Sequence, residues 1–163
     1  MKKLNARLQA IADSVCGEII ADIGSDHAYL PAWLVKNDRI KKAYAVDISV
    51  KCVERIKTNL ARFRISNEII EPVLADGLAS LELSELSDVI IAGMGGENIV
   101  GILSAVKIKD VQNINFILQP NTKQDTLHDY LIGNGFEISQ ELVIQEKRRF
   151  YTIFVAKIGG IYV

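Results

Sequence analysis

The stretch "IIADIGSDHAYLP", residues 19–31, decides the fold of this chain. A short apolar run ends at Asp22, Gly24 follows, and a second acid, Asp26, stands two positions further on. An apolar run, a glycine turn and a helical segment in this order are typical of a βα unit in a parallel sheet. Ligands of such sheets bind at the carboxyl ends of the strands, so this turn is predicted to belong to a binding site.

Strand-like and helix-like segments alternate along most of the chain. An amphipathic helix is predicted at about 3–15, because its apolar residues recur at helical spacing and it lacks the continuous apolar region of a signal peptide. Five apolar runs follow, each leading into a helical segment, at 18–23, 42–48, 69–77, 87–96 and 114–121. Pro72 indicates that the third run lies near a sheet edge, since proline cannot donate a ladder hydrogen bond.

The C-terminal part shows a different pattern, in which apolar and polar residues alternate. The segments "FEISQELVIQE" (136–146) and "RRFYTIFVAKI" (148–158) flank a charged turn, which predicts an antiparallel hairpin. The chain is therefore predicted to be an α/β protein with a seven-stranded, mostly parallel sheet that ends in a C-terminal antiparallel hairpin. We expect residues 1–163 to form a single domain, because the sequence contains no linker or repeat.

Composition excludes several classes of protein. The formal net charge is −1, so no global electrostatic attraction to nucleic acid or membrane is expected, and any basic surface must be local. No apolar run approaches the roughly 20 residues of a membrane span, and we expect a cytoplasmic protein. The two cysteines, Cys16 and Cys52, lack zinc-like spacing and are expected to be core thiols. No metal site is predicted. A monomer is compatible with the sequence, which does not settle the oligomeric state.

The first loop argues against a nucleotide-phosphate site. A dinucleotide fingerprint needs a glycine two positions after Gly24, where backbone approaches the pyrophosphate, and this chain has Asp26 there. A carboxylate would repel a pyrophosphate, whereas a phosphate-free cofactor with a positive sulfur centre would tolerate or prefer it. S-adenosyl-L-methionine (SAM) has this chemistry. A nicotinamide dehydrogenase is correspondingly disfavoured.

Acids follow the second and third predicted strands as well. Asp47 stands 25 positions after Asp22, where an acid typically hydrogen-bonds both hydroxyls of an adenosine ribose. Asp76 is suited to the amino group of the adenine. Three strand-end acids in register predict a Rossmann-like class I SAM-dependent methyltransferase, although any one of them alone often only caps a helix. The predicted cofactor-binding residues are Asp22, Gly24, Ser25, Asp47, Ile48, Asp76, Gly77, Gly93, Met94 and Gly95.

Three stretches carry a resemblance to a known family: "ADIGSDHAYLP" (21–31), "IIAGMGG" (90–96) and "ILQPN" (117–121). They resemble the bacterial tRNA (adenine-22-N1)-methyltransferases called TrmK, and the likeness extends from about Leu4 to Ile158. The resemblance implies methyl transfer from SAM to N1 of adenine 22 in tRNA, with S-adenosyl-L-homocysteine as product. Family members usually continue into a C-terminal helical coiled-coil domain that helps hold tRNA. We expect this chain, which ends in "GGIYV", to be the methyltransferase domain without that region.

The resemblance also bears on the target atom and the reaction. The glycines at 93–96 stand where amino-methylating enzymes of this class often carry an Asn/Asp-Pro-Pro-aromatic motif, so a ring nitrogen fits better than an exocyclic amine. Adenine N1 has a lone pair and no proton, and therefore no strong general base is needed. Catalysis would come from in-line positioning and from favouring the positive charge that develops on the ring. The glycines, including Gly96, would let backbone approach the methyl donor or the base.

Four residues are the candidates for catalysis. Asp26 would accept a hydrogen bond from the amino group of the base, unless it only caps the helix that begins near Tyr29. His27 would orient Asp26 or contact phosphate, or be a solvated turn residue. Tyr29 would stack on a flipped base or face the core instead. Asn121 would face the substrate, although asparagine after proline is also common in turns.

Local basic groups are the remaining candidates for RNA contacts. Lys2, Lys3 and Arg7 stand at the start of the chain, where the N-terminal helix is expected to lie near the pocket, and "EKRRF" occupies 146–150. Arg62 and Arg64 end a helix and are expected to be simply solvated. His128 receives no role. Two alternatives stay open: a methyltransferase for another RNA or a small molecule, and a SAM-binding module without activity.

Overall fold

One mixed sheet of seven strands runs through residues 1–160, the part of the chain that this computed structural model describes. The strands are β1 (Ile19–Ile23), β2 (Lys42–Asp47), β3 (Ile70–Leu74), β4 (Asp88–Gly95), β5 (Asn115–Thr122), β6 (Phe136–Glu146) and β7 (Arg149–Ile158). The α-helices are α1 (Ala6–Asp13), α2 (Tyr29–Lys36), α3 (Val50–Arg62), α4 (Gly96–Ser104) and α5 (Gln124–Gly133).

The strand order positions the site. It is β3-β2-β1-β4-β5-β7-β6, with β1 to β5 parallel and β7 antiparallel to both β5 and β6. The predicted α/β fold with its C-terminal hairpin is confirmed, and β3, which contains Pro72, is an edge strand as predicted. The chain order reverses between β1 and β4, and a crevice for ligands forms at the carboxyl ends of the strands at such a reversal.

Two apolar layers cover the two faces of the sheet. Alternate residues of a strand point to opposite faces, so Ile90 joins one core cluster and its neighbour Ile91 joins the other. Helices α1 to α3 contribute to the cluster around Ile90, and α4 and α5 contribute to the cluster around Ile91. None of the helices within residues 1–160 is long and apolar enough to cross a membrane.

The helix ends follow the local chemistry of the sequence. Helix α1 is shorter than the predicted 3–15, because the Asn5 side chain accepts a hydrogen bond from the Leu8 N–H at 2.8 Å and caps the helix there. Helix α3 is capped by Ser49, whose hydroxyl accepts from the Cys52 N–H at 3.4 Å.

The expectation that both cysteines are core thiols is wrong for Cys16. Cys16 is exposed in the turn between α1 and β1, and Cys52 is half-buried on α3. The backbone N–H of Cys16 donates to the buried Asp88 carboxylate at 3.0 Å, which fixes this turn at the start of β4.

Gly96 is required by packing at the start of α4. A Cβ at this position would lie 2.2 Å from the Lys123 carbonyl oxygen, which is backbone and cannot easily move. Gly96 was predicted to let backbone approach the ligand. In this structure, Gly96 lets backbone approach the chain segment before α5.

We expect Gly96→Ala to lower the free energy of unfolding by about 1–3 kcal/mol, because the added methyl overpacks this contact. Urea denaturation of the two proteins measures the difference. Gly101→Ala in the same helix is the matched control, since nothing lies within 4 Å of a Cβ there. Its helix propensity should make it neutral or stabilising, and equal losses in both variants would contradict the packing argument.

Candidate cofactor and substrate site

A cavity of about 770 Å³ opens at the carboxyl ends of the strands on either side of the reversal. Six of the predicted cofactor-binding residues line it: Gly24, Asp47, Ile48, Asp76, Gly77 and Met94. Sequence reasoning missed other lining residues, among them Glu97 and Asn98 at the start of α4. They carried no signal in the sequence, because the first turn of a helix contributes to a pocket only where the fold turns it inward.

The strand-end acids differ in their surroundings. Asp47 is 9% exposed, and its carboxylate accepts from the Ser49 N–H at 3.0 Å and from the Asp26 N–H at 3.3 Å. Asp76 lies exposed in the loop after β3. Ile48, which follows Asp47 and lines the same cavity, presents an apolar side chain that is 69% exposed. The cavity therefore combines an acceptor for hydroxyl groups, an apolar surface and a second acceptor.

The loop after β1 has the left-handed backbone conformations that are typical of a glycine-rich loop, although it contains fewer glycines. Gly24, Asp26 and Ala28 have φ values of 72°, 57° and 57°. The left-handed region costs a residue with a Cβ roughly 1 kcal/mol, least for Asp and Asn. Such strained positions occur at ligand-binding sites. Asp26 thus places a carboxylate where a glycine-rich loop has only a hydrogen atom.

Four predicted cofactor residues do not line the cavity. Asp22 is 7% exposed and lies behind the loop, where it accepts from the Ser25 hydroxyl at 2.8 Å. Gly93 is exposed at the bend of β4, where the register with β5 shifts between Ala92 and Met94, and Gly95 immediately precedes α4. These residues support the loops around the cavity in this structure.

The pKa of the Asp22 carboxyl group is shifted from its ordinary value. Burial, with a smaller contribution from the nearby Asp47, raises its pKa from 3.8 to about 7, although the Ser25 hydrogen bond and Arg7 oppose the shift. The unfolded chain loses this proton near pH 4, whereas the folded protein retains it to about pH 7. The contribution to stability is therefore present at low pH and lost as the pH rises through 7.

We expect the free energy of unfolding of Asp22→Asn to be higher than that of the wild type at about pH 8 and similar to it at about pH 4, because the amide never becomes charged. The shift sets an upper bound of about 4 kcal/mol on the difference. Urea denaturation across this pH range measures it, with Asp125→Asn on exposed α5 as the control. A constant difference between Asp22→Asn and wild type would contradict the raised pKa.

Asp26 lies beside the cavity and is held by three side chains. One carboxylate oxygen pairs with the Arg55 guanidinium and accepts from the Cys52 thiol at 3.4 Å. The other oxygen is 3.4 Å from His27 Nε2. Ala28 occupies the N-cap position of α2 without a side-chain cap, so the alternative that Asp26 caps this helix is wrong. Arg55 was not predicted, because its partner is 29 residues away and depends on how α3 packs.

His27 and Tyr29 form part of an aromatic row. Their rings are stacked with centroids 5.1 Å apart, and the Tyr29 ring lies 5.9 Å from the ring of Phe63. Tyr29 is 45% exposed, so the alternative that it faces the core is wrong. An exposed aromatic face beside Asp26 is available for a nucleobase.

Asn121 joins β5 to β4 through side-chain hydrogen bonds. Its amide donates to the Gly93 carbonyl at 2.9 Å and accepts from the Gln119 amide at 3.1 Å. The buried Gln119 in turn accepts from the Arg7 guanidinium at 2.7 Å. Through Arg7, helix α1 therefore reaches the carboxyl ends of β4 and β5. The N-terminal helix was predicted to lie near the pocket, which is at this edge of the sheet.

The chemistry of the cavity favours a cation over a phosphate. Asp47, Asp76 and Glu97 line it, and no lysine or arginine does so among the described residues. SAM, which carries a sulfonium and no phosphate, fits this set of residues. Nowhere in residues 1–160 do three His, Cys, Asp or Glu side chains cluster in a way that would hold a metal ion.

The sheet order, the reversal between β1 and β4 and the acidic cavity are typical of a class I SAM-dependent methyltransferase. A sequence profile for a methyltransferase domain matches residues 4–154. The chain belongs to the TrmK family of tRNA (m1A22) methyltransferases. The predicted fold and family are thereby confirmed.

Three relatives illustrate the relation. The tRNA (adenine(22)-N(1))-methyltransferase of Bacillus subtilis is 34% identical over 96% of this chain and 66% of its own length. Streptococcus pneumoniae Sp1610 in complex with SAM has a TM-score of 0.87 at 36% identity and covers 99% of this chain and 76% of its own. M. capricolum TrmK in complex with S-adenosyl-homocysteine has a TM-score of 0.83 at 31% identity, with 96% and 70% covered. The chain thus spans about two thirds to three quarters of these relatives.

Proposed function

We propose that this chain transfers a methyl group from SAM to N1 of an adenine in tRNA, at position 22 as in the Bacillus subtilis relative. The observation that supports it most is the acidic cavity beside an exposed carboxylate, Asp26, and an exposed aromatic ring, Tyr29. The cavity suits an adenosine-containing cation, and the neighbouring groups suit a flipped purine. We propose tRNA rather than another RNA because the named relatives act on it.

The cofactor-binding roles follow from the lining of the cavity. Asp47 would accept both ribose hydroxyls, the exposed Ile48 would pack on the adenine, and Asp76 would accept from its amino group. Gly24 and Met94 would border the methionine part, because the Gly24 position lies 2.5 Å from the end of the Met94 side chain when a Cβ is added. SAM supplies the electrophilic methyl group when it is bound.

Asp26 would stabilise the charge that develops on the base. N1 attacks through its lone pair, so the ring becomes positive and no proton has to be removed from the nitrogen. A carboxylate that accepts from the exocyclic amino group favours this charge, with a typical effect of about 10²–10³ in kcat for one such electrostatic contact. Arg55 and His27 would hold the carboxylate in place, since they contact its two oxygens.

Tyr29 and Asn121 would position the base. Tyr29 offers an exposed ring for stacking, and Asn121 lies at the bend of β4 through its bond to the Gly93 carbonyl. Holding the nitrogen in line with the methyl group contributes to rate without any change in protonation. Gly93 and Gly95 would keep this edge open to the base, because neither carries a side chain.

Methyl transfer from labelled SAM to unmodified tRNA transcripts tests the proposal, with adenine and guanine at position 22 compared and the product mapped by a reverse-transcription stop. Incorporation that depends on adenine at this position is expected. Calorimetric SAM binding is measured in parallel. If SAM binds but no methyl group is incorporated into any tRNA, the proposal that this chain is active by itself is wrong. If SAM does not bind, the assignment of the cavity is wrong.

A further inference from the structure

A second cavity, of about 380 Å³, is bordered by Tyr29, which follows the loop that carries Asp26. The N-terminal segment before α1, the start of α2 and the end of α3 enclose it. Its walls include Lys2, Lys3 and Arg62, together with the rings of Tyr29 and Phe63. The three elements are distant in sequence, so only the folded chain brings these side chains together.

The charge of this cavity is positive and unopposed. No acidic residue lines it among the described residues, and within residues 1–160 none of Lys2, Lys3 and Arg62 forms an ion pair with a carboxylate. The whole protein has a formal net charge of −1, so this concentration of cations is local. Arg62, which the sequence indicated to be a simply solvated helix end, is part of it.

The aromatic residues give the cavity a wall suited to a base. The rings of Tyr29 and Phe63 are tilted by 58° at a centroid distance of 5.9 Å. His27 stacks on the other end of this row with an interplanar angle of 6°, and its Nε2 is 3.4 Å from Asp26. The row therefore leads from the proposed catalytic carboxylate into the basic cavity. Basic grooves with aromatic platforms are the usual features of sites for single-stranded nucleic acid.

We propose that this cavity binds a nucleotide that flanks the target adenine in the substrate RNA. Its base packs against Phe63, and its phosphate is held by Lys2, Lys3 and Arg62. This inference rests on the proposed function, because it assumes that an unstacked adenine occupies the neighbouring site. It assigns the N-terminal segment a direct part in RNA binding.

Charge-removal variants test the phosphate contacts. The triple variant Lys2→Ala, Lys3→Ala, Arg62→Ala is compared with Lys107→Ala, Lys109→Ala, which removes exposed positive charge near the opposite ends of the strands. Fluorescence anisotropy with a tRNA transcript gives Kd over a range of salt concentrations. We expect the triple variant to bind at least about tenfold more weakly, with a salt slope smaller by about 0.7, because roughly this amount is lost for one phosphate contact. Its SAM affinity should be unchanged, since these residues lie outside the acidic cavity.

A second comparison tests the base contact. Phe63→Leu keeps an apolar side chain for the core and removes the ring, and abasic substitutions next to the target adenine remove the base from the RNA. Each change alone should raise Kd by about fivefold or more, and the two together should cost no more than one alone. Urea denaturation confirms that Phe63→Leu is folded under the assay conditions.

The outcomes separate this inference from the proposed function. Wild-type activity on tRNA, with a triple variant that matches the lysine control in Kd and salt slope, would overturn the flanking-nucleotide site alone. Independent, additive losses for Phe63→Leu and the abasic RNA would overturn the base contact. A wild type that binds SAM but neither binds nor methylates tRNA would overturn both proposals.

Discussion

Replacing Asp47 by alanine is expected to weaken SAM binding at least about 100-fold. The buried carboxylate would accept hydrogen bonds from two ribose hydroxyls, and each bond to a charged acceptor contributes about 1.5–3 kcal/mol. Water cannot readily replace the carboxylate, because Asp47 is 9% exposed. Isothermal titration calorimetry with SAM measures the change.

Two controls separate ribose binding from loop stability. Asp47 also accepts from the Asp26 and Ser49 backbone N–H groups, so the variant is checked for unchanged unfolding in urea. Asp47→Asn keeps one acceptor oxygen and should lie between wild type and Asp47→Ala. Asp110→Ala removes an exposed acid outside the cavity and should bind normally. If Asp47→Ala stays folded and binds SAM within about threefold of wild type, the ribose assignment is wrong.

The second large effect is expected at Asp26. We expect Asp26→Asn to lower kcat for tRNA methylation by about 10²–10³ while SAM affinity changes little, because the lost charge acts on the base and not on the cofactor. The amide is nearly the same size as the carboxylate. Single-turnover methylation with saturating SAM and tRNA isolates the chemical step.

Arg55→Ala distinguishes charge stabilisation from a structural ion pair. This variant removes the partner of Asp26 and leaves the carboxylate, so its kcat should fall much less than that of Asp26→Asn. If the pair only ties the loop to α3, both variants should lose the same activity and both should weaken SAM binding, because the loop also contacts Asp47 through the Asp26 N–H. That pattern would rule out Asp26 as a group acting on the base.

The sheet and half of the cofactor site were predictable from local patterns. Apolar runs with period and length typical of buried strands predicted all seven strands, and Pro72 predicted the edge. The carboxyl ends of parallel strands meet at one edge of a sheet, so acids directly after three runs had to lie near one another. Asp47 and Asp76 therefore line one cavity although 29 residues separate them. Roles in catalysis remain predictions, as does a single domain over 1–163.

The side chains that meet across different elements were decided by the tertiary structure alone. Arg55 reaches Asp26, Arg7 reaches the buried Gln119, and Arg62 joins Lys2 and Lys3 around one cavity. Sequence periodicity predicts which face of a helix is buried, but long flexible side chains at its margin find partners only after helices have packed at particular angles and offsets. Cys16 was expected in the core and is exposed in the turn between α1 and β1, where its backbone N–H donates to Asp88. The apolar pattern of the chain thus specifies the sheet and its binding edge, and helix packing selects the charged groups that surround it.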